Sequence, residues 1–185
     1  EIAQCLVGSE MCIRDRTRTV ADNALVLDAD GLNAAAQLLA EGKPFPHPVG
    51  ELVVTPHPGE MARLTGLSAA ALAADREGIA LRYAKAWNAV VVLKGARTVV
   101  ASPDGRVCVN PTGNPGLARG GSGDVLTGML AALLACGLPA YQAAACAVYL
   151  HGAAADRAAA KRGEYGMLPH DILPELGALF AENQR

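Results

Sequence analysis

NPTGNPGLARGGSGDVLTG, running from Asn110 to Gly128, is the stretch on which the reading of the whole chain turns. Gly113, Gly116, Gly120, Gly121 and Gly123 crowd one loop, and from Val125 the pattern changes to VLTGMLAALLA, an apolar helix-forming run. A backbone without Cβ atoms lets a ligand approach closely. Loop and helix together form an anion cradle, because unpaired N–H groups and the dipole at a helix N-terminus favour phosphate. The run is not a Walker A loop, since no GK[ST] follows the glycines, and it is not GxGxxG, since Leu126 stands where the last glycine would be.

Asp124 needs a separate explanation, because a carboxylate beside a phosphate cradle repels the anion unless it has another task. Two tasks fit: general base toward a hydroxyl, or ligand of a bound cation. The plain structural alternative is a tight turn with an N-capping acid.

Upstream, ALVLD (24–28) is a short apolar run ending in acid, which predicts a buried parallel strand; residues 52–55 and AVVVLKG (89–95) read the same way. TVVAS and RVCVN, flanking Pro103-Asp104-Gly105, predict a β-hairpin. Helices are predicted over 33–41, 58–64, 68–87, 124–136, 139–161 and 170–182, with Ser68 capping the third and Leu72, Ile79, Tyr83 and Trp87 on its buried face. This alternation predicts an α/β domain of three layers, a mostly parallel sheet flanked by helices. Ligands in such sheets sit beyond the carboxyl ends of the strands. Asp28 and Asp30, residues 55–60 and residues 94–98 are therefore expected to converge with the glycine loop.

Composition narrows the class. Hydrophobic residues make up 51% of the 185 but aromatics only 4%, so the core has to be built from Ala, Leu and Val. A net charge of −2 without a basic run argues against a nucleic-acid surface. No apolar run reaches the roughly 18 residues of a membrane span. Five cysteines without CxxC spacing predict reduced, buried thiols in the cytoplasm, and the four histidines form no metal-ligand pair. Residues 1–16, EIAQCLVGSEMCIRDR, lack the basic start and apolar core of a signal peptide, and CLVGSEMCIRDR resembles stray translated adaptor sequence. They are read as a non-native tail, with the domain at 17–185.

Three further motifs carry chemistry. DADGLN (28–33) places acids before a helix, where Asp30 has helix capping as its structural alternative. TPHPGE (55–60) fixes the backbone on both sides of His57 with prolines, so the imidazole is presented from a stiff loop. KGART (94–98) is either a tight turn or a nucleotide contact.

Taken in order, LDADGLN, VVTPHPGEMARLTG, VVLKGARTVV and NPTGNPGLARGGSGDVLTG resemble the ADP-dependent NAD(P)H-hydrate dehydratases. The resemblance runs from about residue 21 to the C-terminus and includes YLHGAAAD. It implies a ribokinase-like fold and dehydration of the S epimer of hydrated NADH or NADPH, with ADP or ATP as co-substrate and Mg2+ present. It implies that Asp124 is catalytic and that His57, Asp124, Asp30 and Asn33 meet the hydrated nicotinamide. Lys94, Gly95, Ala96, Arg97 and Thr98 would bind the adenine nucleotide, together with Asn114, Pro115, Gly116, Leu117, Ala118, Arg119, Gly120, Gly121, Ser122 and Gly123. It further implies a cytoplasmic homo-oligomer, up to a tetramer, and an epimerase domain fused upstream in some relatives. The family strands upstream of DADGLN are missing, so the domain is expected to be partial, with an exposed sheet edge. A ribokinase-like vitamin or sugar kinase and an inactive nucleotide-binding fragment are the competing expectations.

Overall fold

The computed structural model describes residues 4–6, 24–48 and 50–183. Its elements in chain order are β1 (Gln4–Leu6), β2 (Leu25–Leu27), α1 (Asp30–Ala40), β3 (Leu52–Val54), α2 (Pro58–Thr65), α3 (Ala69–Ala74), α4 (Arg76–Trp87), β4 (Val90–Leu93), β5 (Val99–Ala101), β6 (Val107–Val109), α5 (Ser122–Ala135), α6 (Ala140–Arg162) and α7 (Ile172–Asn183). Short 3-10 turns lie at Pro115–Leu117 and Pro169–Asp171. The strands form one sheet in sequence order. β1 to β4 run parallel, and β5 and β6 fold back antiparallel as the hairpin signal predicts.

Alternation along the strands divides the core between two faces. Leu25, Leu27, Leu52, Val54, Val91 and Leu93 pack under α1, α2, α3 and α4, through Leu32, Met61, Leu72 and Trp87. Val26, Val53, Val90, Val92 and Val100 face α5 and α6, meeting Leu126, Leu130, Ala143 and Ala147. Small side chains explain the close seat of α6: Ala143, Ala144 and Ala147 are fully buried against the sheet. A third cluster, with Ala155, Ala158, Met167 and Ile172, joins α6 to the C-terminal segment. Helices thus cover both faces, the three-layer arrangement expected.

Three details differ from expectation. Gln4–Leu6, inside the segment read as a tail, pairs in parallel with Leu25–Leu27. The open edge of β2 offers unpaired N–H and C=O groups that an extended neighbour satisfies; the remainder of 1–16 lies outside the described residues. The helix expected over 68–87 is two helices, because the Asp75 carboxylate accepts from Gly78 N at 2.8 Å and starts a new one. The described thiols are free but not buried: Cys108 and Cys146 are half-buried and Cys136 is exposed. Among the described residues, no helix is long and apolar enough to cross a membrane.

Candidate functional site

The glycine loop divides into an anchored half and an open half. Asn114 caps the 3-10 turn, its Oδ1 accepting from Gly116 N at 3.0 Å, and Asp156 on α6 accepts from Gly113 N and Asn114 Nδ2, both at 2.9 Å. Arg119 donates to the Tyr165 carbonyl at 2.9 Å. A Cβ on Gly116 would lie 2.6 Å from Met167 Sδ, so the loop is pressed against the segment that follows α6. Beyond Arg119 the backbone opens. Among the described residues, the N–H groups of Gly120, Gly121, Gly123 and Asp124 have no protein acceptor. Gly121 caps α5 with φ 93, a left-handed conformation that suits glycine. The exposed Asp124 stands in the first turn of that helix.

Below this turn the strand ends meet in a chain of charged and hydroxyl groups. Lys94, at the end of β4, donates from Nζ to Asp28 Oδ1 at 2.8 Å and lies 3.8 Å from Glu60 Oε2. Thr127, one turn along α5 from Asp124, donates to Asp28 Oδ2 at 2.8 Å. Asp28 and Glu60 are only 6% and 5% exposed. Burial pushes the Asp28 carboxyl up, but the Lys94 ammonium and hydrogen bonds from Lys94, Thr55 and Thr127 outweigh burial and hold it below the usual carboxylate value. A Cβ on Gly123 would sit 3.6 Å from Lys94 Nζ and 3.8 Å from Asp28 Oδ2, so the network lies directly under the open N–H groups.

The histidine loop joins the same network. His57 is the N-cap of α2: its Nδ1 accepts from Gly59 N at 3.0 Å and Glu60 N at 3.3 Å, while its own N–H donates to Glu60 Oε2 at 2.7 Å. A neutral ring that accepts at Nδ1 carries its proton on Nε2. Nε2 lies 3.4 Å from Glu60 Oε1, and the side chain is half-exposed, within reach of a ligand. The backbone N–H of Lys94 donates to Pro56 O at 2.8 Å and pins β4 to this loop.

Behind the first turn of α5, a buried histidine has been placed without a full set of partners. His151 on α6 is 7% exposed and Ser122 is 5% exposed, and both His151 Nε2 and Ser122 Oγ lack a partner among the described residues. Burial lowers the His151 pKa to about 4 against the opposing pull of a hydrogen bond to the Ser122 backbone, so the ring is neutral at pH 7.

The remaining candidates lie on α1 and on the turn after β4. Asp30 does not cap α1: Ala29 holds that position at φ 47 without a side-chain bond, and Asp30 is exposed in the first turn. Asn33 Oδ1 accepts from Arg63 Nε at 3.1 Å, tying α1 to α2. Thr98 donates to Gly95 O at 3.0 Å and closes the KGART turn over Ala96 and Arg97, the latter at φ 57. Arg76 supports that turn from below, donating to the Leu93 and Lys94 carbonyls at 2.9 and 3.2 Å. A cavity of about 460 Å³ lined by Glu51, Ser102, Arg106 and Tyr141 lies at the opposite, amino ends of β3 and β4, away from these residues.

A family model described as NAD(P)H-hydrate dehydratase matches residues 13–177 of this sheet and its helices. The chain belongs to that family. It is 55% identical over 148 residues to the bifunctional NAD(P)H-hydrate repair enzyme Nnr of Moorella thermoacetica, covering 80% of this chain and 27% of that relative. To the ADP-dependent (S)-NAD(P)H-hydrate dehydratase of Neisseria meningitidis it is 45% identical over 154 residues, 83% of this chain and 52% of the relative. Among solved structures, the ADP/ATP-dependent NAD(P)H-hydrate dehydratase from Bacillus subtilis, co-crystallized with ATP/Mg2+, matches with TM-score 0.77 at 38% identity, over 86% of this chain and 55% of that one. A ribokinase-like superfamily protein from Enterococcus faecalis matches at TM-score 0.69 and 30% identity over 85% of this chain and 52% of that one, so the fold is ribokinase-like. The chain spans about half the length of the single-function dehydratase it matches, and less of the bifunctional one.

In this dehydratase-family chain, several residues of the site carry weaker sequence signals. Glu60 stands three residues after His57, the spacing of a capping box. Thr127 is a hydroxyl inside an apolar helical run, and His151 a lone imidazole in an alanine-rich one; each is a polar residue that burial obliges to find a role.

Proposed function

We propose that the protein dehydrates the S epimer of hydrated NADH or NADPH with ADP as co-substrate, releasing AMP and phosphate. One observation carries this reading: in a chain of the NAD(P)H-hydrate dehydratase family, open N–H groups at Gly120, Gly121 and Gly123 surround an exposed Asp124 and stand on a network that reaches His57. The terminal phosphoryl group of the nucleotide lies on those N–H groups, which stabilise its charge as it transfers. Asp124 takes the proton of the ring hydroxyl while that oxygen bonds to phosphorus and the bond to AMP breaks. Hydroxide is a poor leaving group and phosphate a good one. The ring-nitrogen lone pair then expels phosphate, and loss of a proton from the adjacent ring carbon restores the double bond. His57, with Nδ1 engaged as a cap, donates from Nε2 to the dinucleotide.

Magnesium fits as an ion carried by the phosphates. Among the described residues, no group of three or more His, Cys, Asp or Glu is arranged to hold a metal, and a single carboxylate, Asp124, stands in the first turn of α5. A site of that kind suits an ion with most of its ligands from phosphate and water. When bound, it would offset the charge of the transferring group. A fused epimerase domain, implied for some relatives, draws support from relatives named as bifunctional repair enzymes.

The test is incubation with hydrated NADH and ADP, following the reduced-nicotinamide absorbance band and the AMP and phosphate formed. Recovery of the band with AMP and phosphate in equal amounts is expected. Nucleotide consumption with a vitamin precursor or sugar, and none with hydrated NADH, would instead identify a kinase.

A further inference from the structure

We propose that the Arg63 guanidinium binds the phosphate next to the nicotinamide ribose of the hydrated dinucleotide, and so serves the NADH and NADPH forms alike. The inference rests on the dehydratase reading for the identity of that ligand. Arg63 stands in the last turn of α2, where a cation ordinarily serves the carbonyl groups at its own helix end. Its side chain runs the other way. Nε donates to Asn33 Oδ1 on α1 at 3.1 Å, and Nη1 lies 3.9 Å from where a Cβ on Gly59, in the first turn, would be. That same point is 2.9 Å from His57 Cε1 and 3.2 Å from His57 Nδ1. Guanidinium and imidazole therefore flank one glycine, and backbone without a side chain floors the space between them. Among the described residues, neither Nη1 nor Nη2 has an acceptor and no carboxylate pairs with this exposed side chain.

Other arginines show what a closed guanidinium looks like: Arg106 is paired with Asp104 and Arg157 with Glu182. Arg63 is held instead by a neutral amide, which orients the group and leaves its charge uncancelled. Two free N–H groups in one fixed plane suit two oxygens of one phosphate. Chemistry of the substrate says which phosphate. The nicotinamide ring is assigned to His57 and Asp124, and a single ribose separates that ring from its own phosphate, whereas the 2′-phosphate of NADPH lies on the far ribose. A guanidinium one glycine away from His57 is placed for the nearer group. That phosphate is unchanged between ground and transition states, so a contact to it shows in KM and leaves kcat alone.

The test compares Arg63→Gln, Arg63→Lys and Asn33→Ala. Calorimetry measures binding of NADH, reduced nicotinamide mononucleotide, reduced nicotinamide riboside and AMP, and steady-state kinetics are measured with hydrated NADH and ADP. In Arg63→Gln, affinity for NADH and the mononucleotide should fall about 10- to 100-fold, the worth of charge-assisted hydrogen bonds, while that for AMP and for the riboside, which has no phosphate, stays within about 2-fold. KM for hydrated NADH should rise by the same factor, with kcat within about 3-fold of wild type. Arg63→Lys should recover part of the loss, because it returns the charge without the fork. Asn33→Ala, which breaks the tie between α1 and α2 but keeps the guanidinium, should cost less than Arg63→Gln. Equal losses in those two variants, or a loss for the riboside as large as for the mononucleotide, would reduce Arg63 to a structural tie and overturn the proposal. So would NADH binding that Arg63→Gln leaves unchanged. Wild-type protein that neither binds NADH nor turns over hydrated NADH would instead refute the dehydratase reading, and the proposal with it.

Discussion

Acid should loosen this protein in part through one buried imidazole, His151. His151 titrates near 6.5 in an unfolded chain but at about 4 in the fold, where burial disfavours its charged form more than the Ser122 backbone favours it. Between those values the unfolded state binds the extra proton, so stability rises with pH across the window. This contribution is intact above about pH 6.5, declines as the pH falls and is fully lost below about pH 4. A separation of roughly 2.5 units, at about 1.4 kcal/mol each, sets the total near 3 kcal/mol, of which about 2 kcal/mol is lost between about pH 7 and about pH 5. The assay is urea unfolding at a series of pH values on the wild type and on His151→Asn, which cannot titrate. The other histidines are common to both proteins, so the difference in slope isolates His151. Wild-type stability should fall more steeply, by about 2 kcal/mol over that range. Parallel curves would show that His151 is not a buried neutral imidazole, and the placement of α6 behind the Ser122 turn would be wrong.

Other consequences are local. At Gly120 a Cβ would meet nothing within 4 Å, so Gly120→Ala should leave the melting temperature unchanged yet weaken AMP binding by calorimetry, the methyl occupying space meant for the ligand. Gly121→Ala should differ in kind: at φ 93, with Pro169 Cγ 3.2 Å from the new Cβ, it should lower stability by about 1–2 kcal/mol in denaturant unfolding. Ala29 holds φ 47 and ψ −114 at the end of β2, so Ala29→Gly should raise stability by roughly 1 kcal/mol despite the added freedom of the unfolded chain, as read from thermal melts.

What could be read from the residues alone was whatever is encoded within a few positions. Leu25–Leu27, Leu52–Val54 and Val90–Leu93 announce themselves as buried parallel strands because each is apolar on both faces. The helix expected from Asp124 begins at Ser122, with Gly121 rather than an acid at its cap. Apolar spacing carries across Asp75 and predicts one helix from Ser68 to Trp87, while the carboxylate of Asp75 competes locally for the backbone and starts a second one. That Asp28, residues 55–60 and residues 94–98 converge follows from their places at strand ends, but the contacts among Asp28, Glu60, Lys94 and Thr127 could not be read. These residues are separated by more than thirty residues at each step, by 66 between Asp28 and Lys94, and only the parallel register of the strand ends brings them together. The same holds for His151 and Ser122, which meet because α5 and α6 pack on one face of the sheet.

Asp124 as the proton acceptor is tested most directly by Asp124→Asn, which keeps shape and removes basicity. Turnover of hydrated NADH with ADP should fall by about 100- to 10,000-fold, the span of a lost general base, while calorimetric AMP affinity stays near that of the wild type. Near-normal turnover by Asp124→Asn would contradict the account.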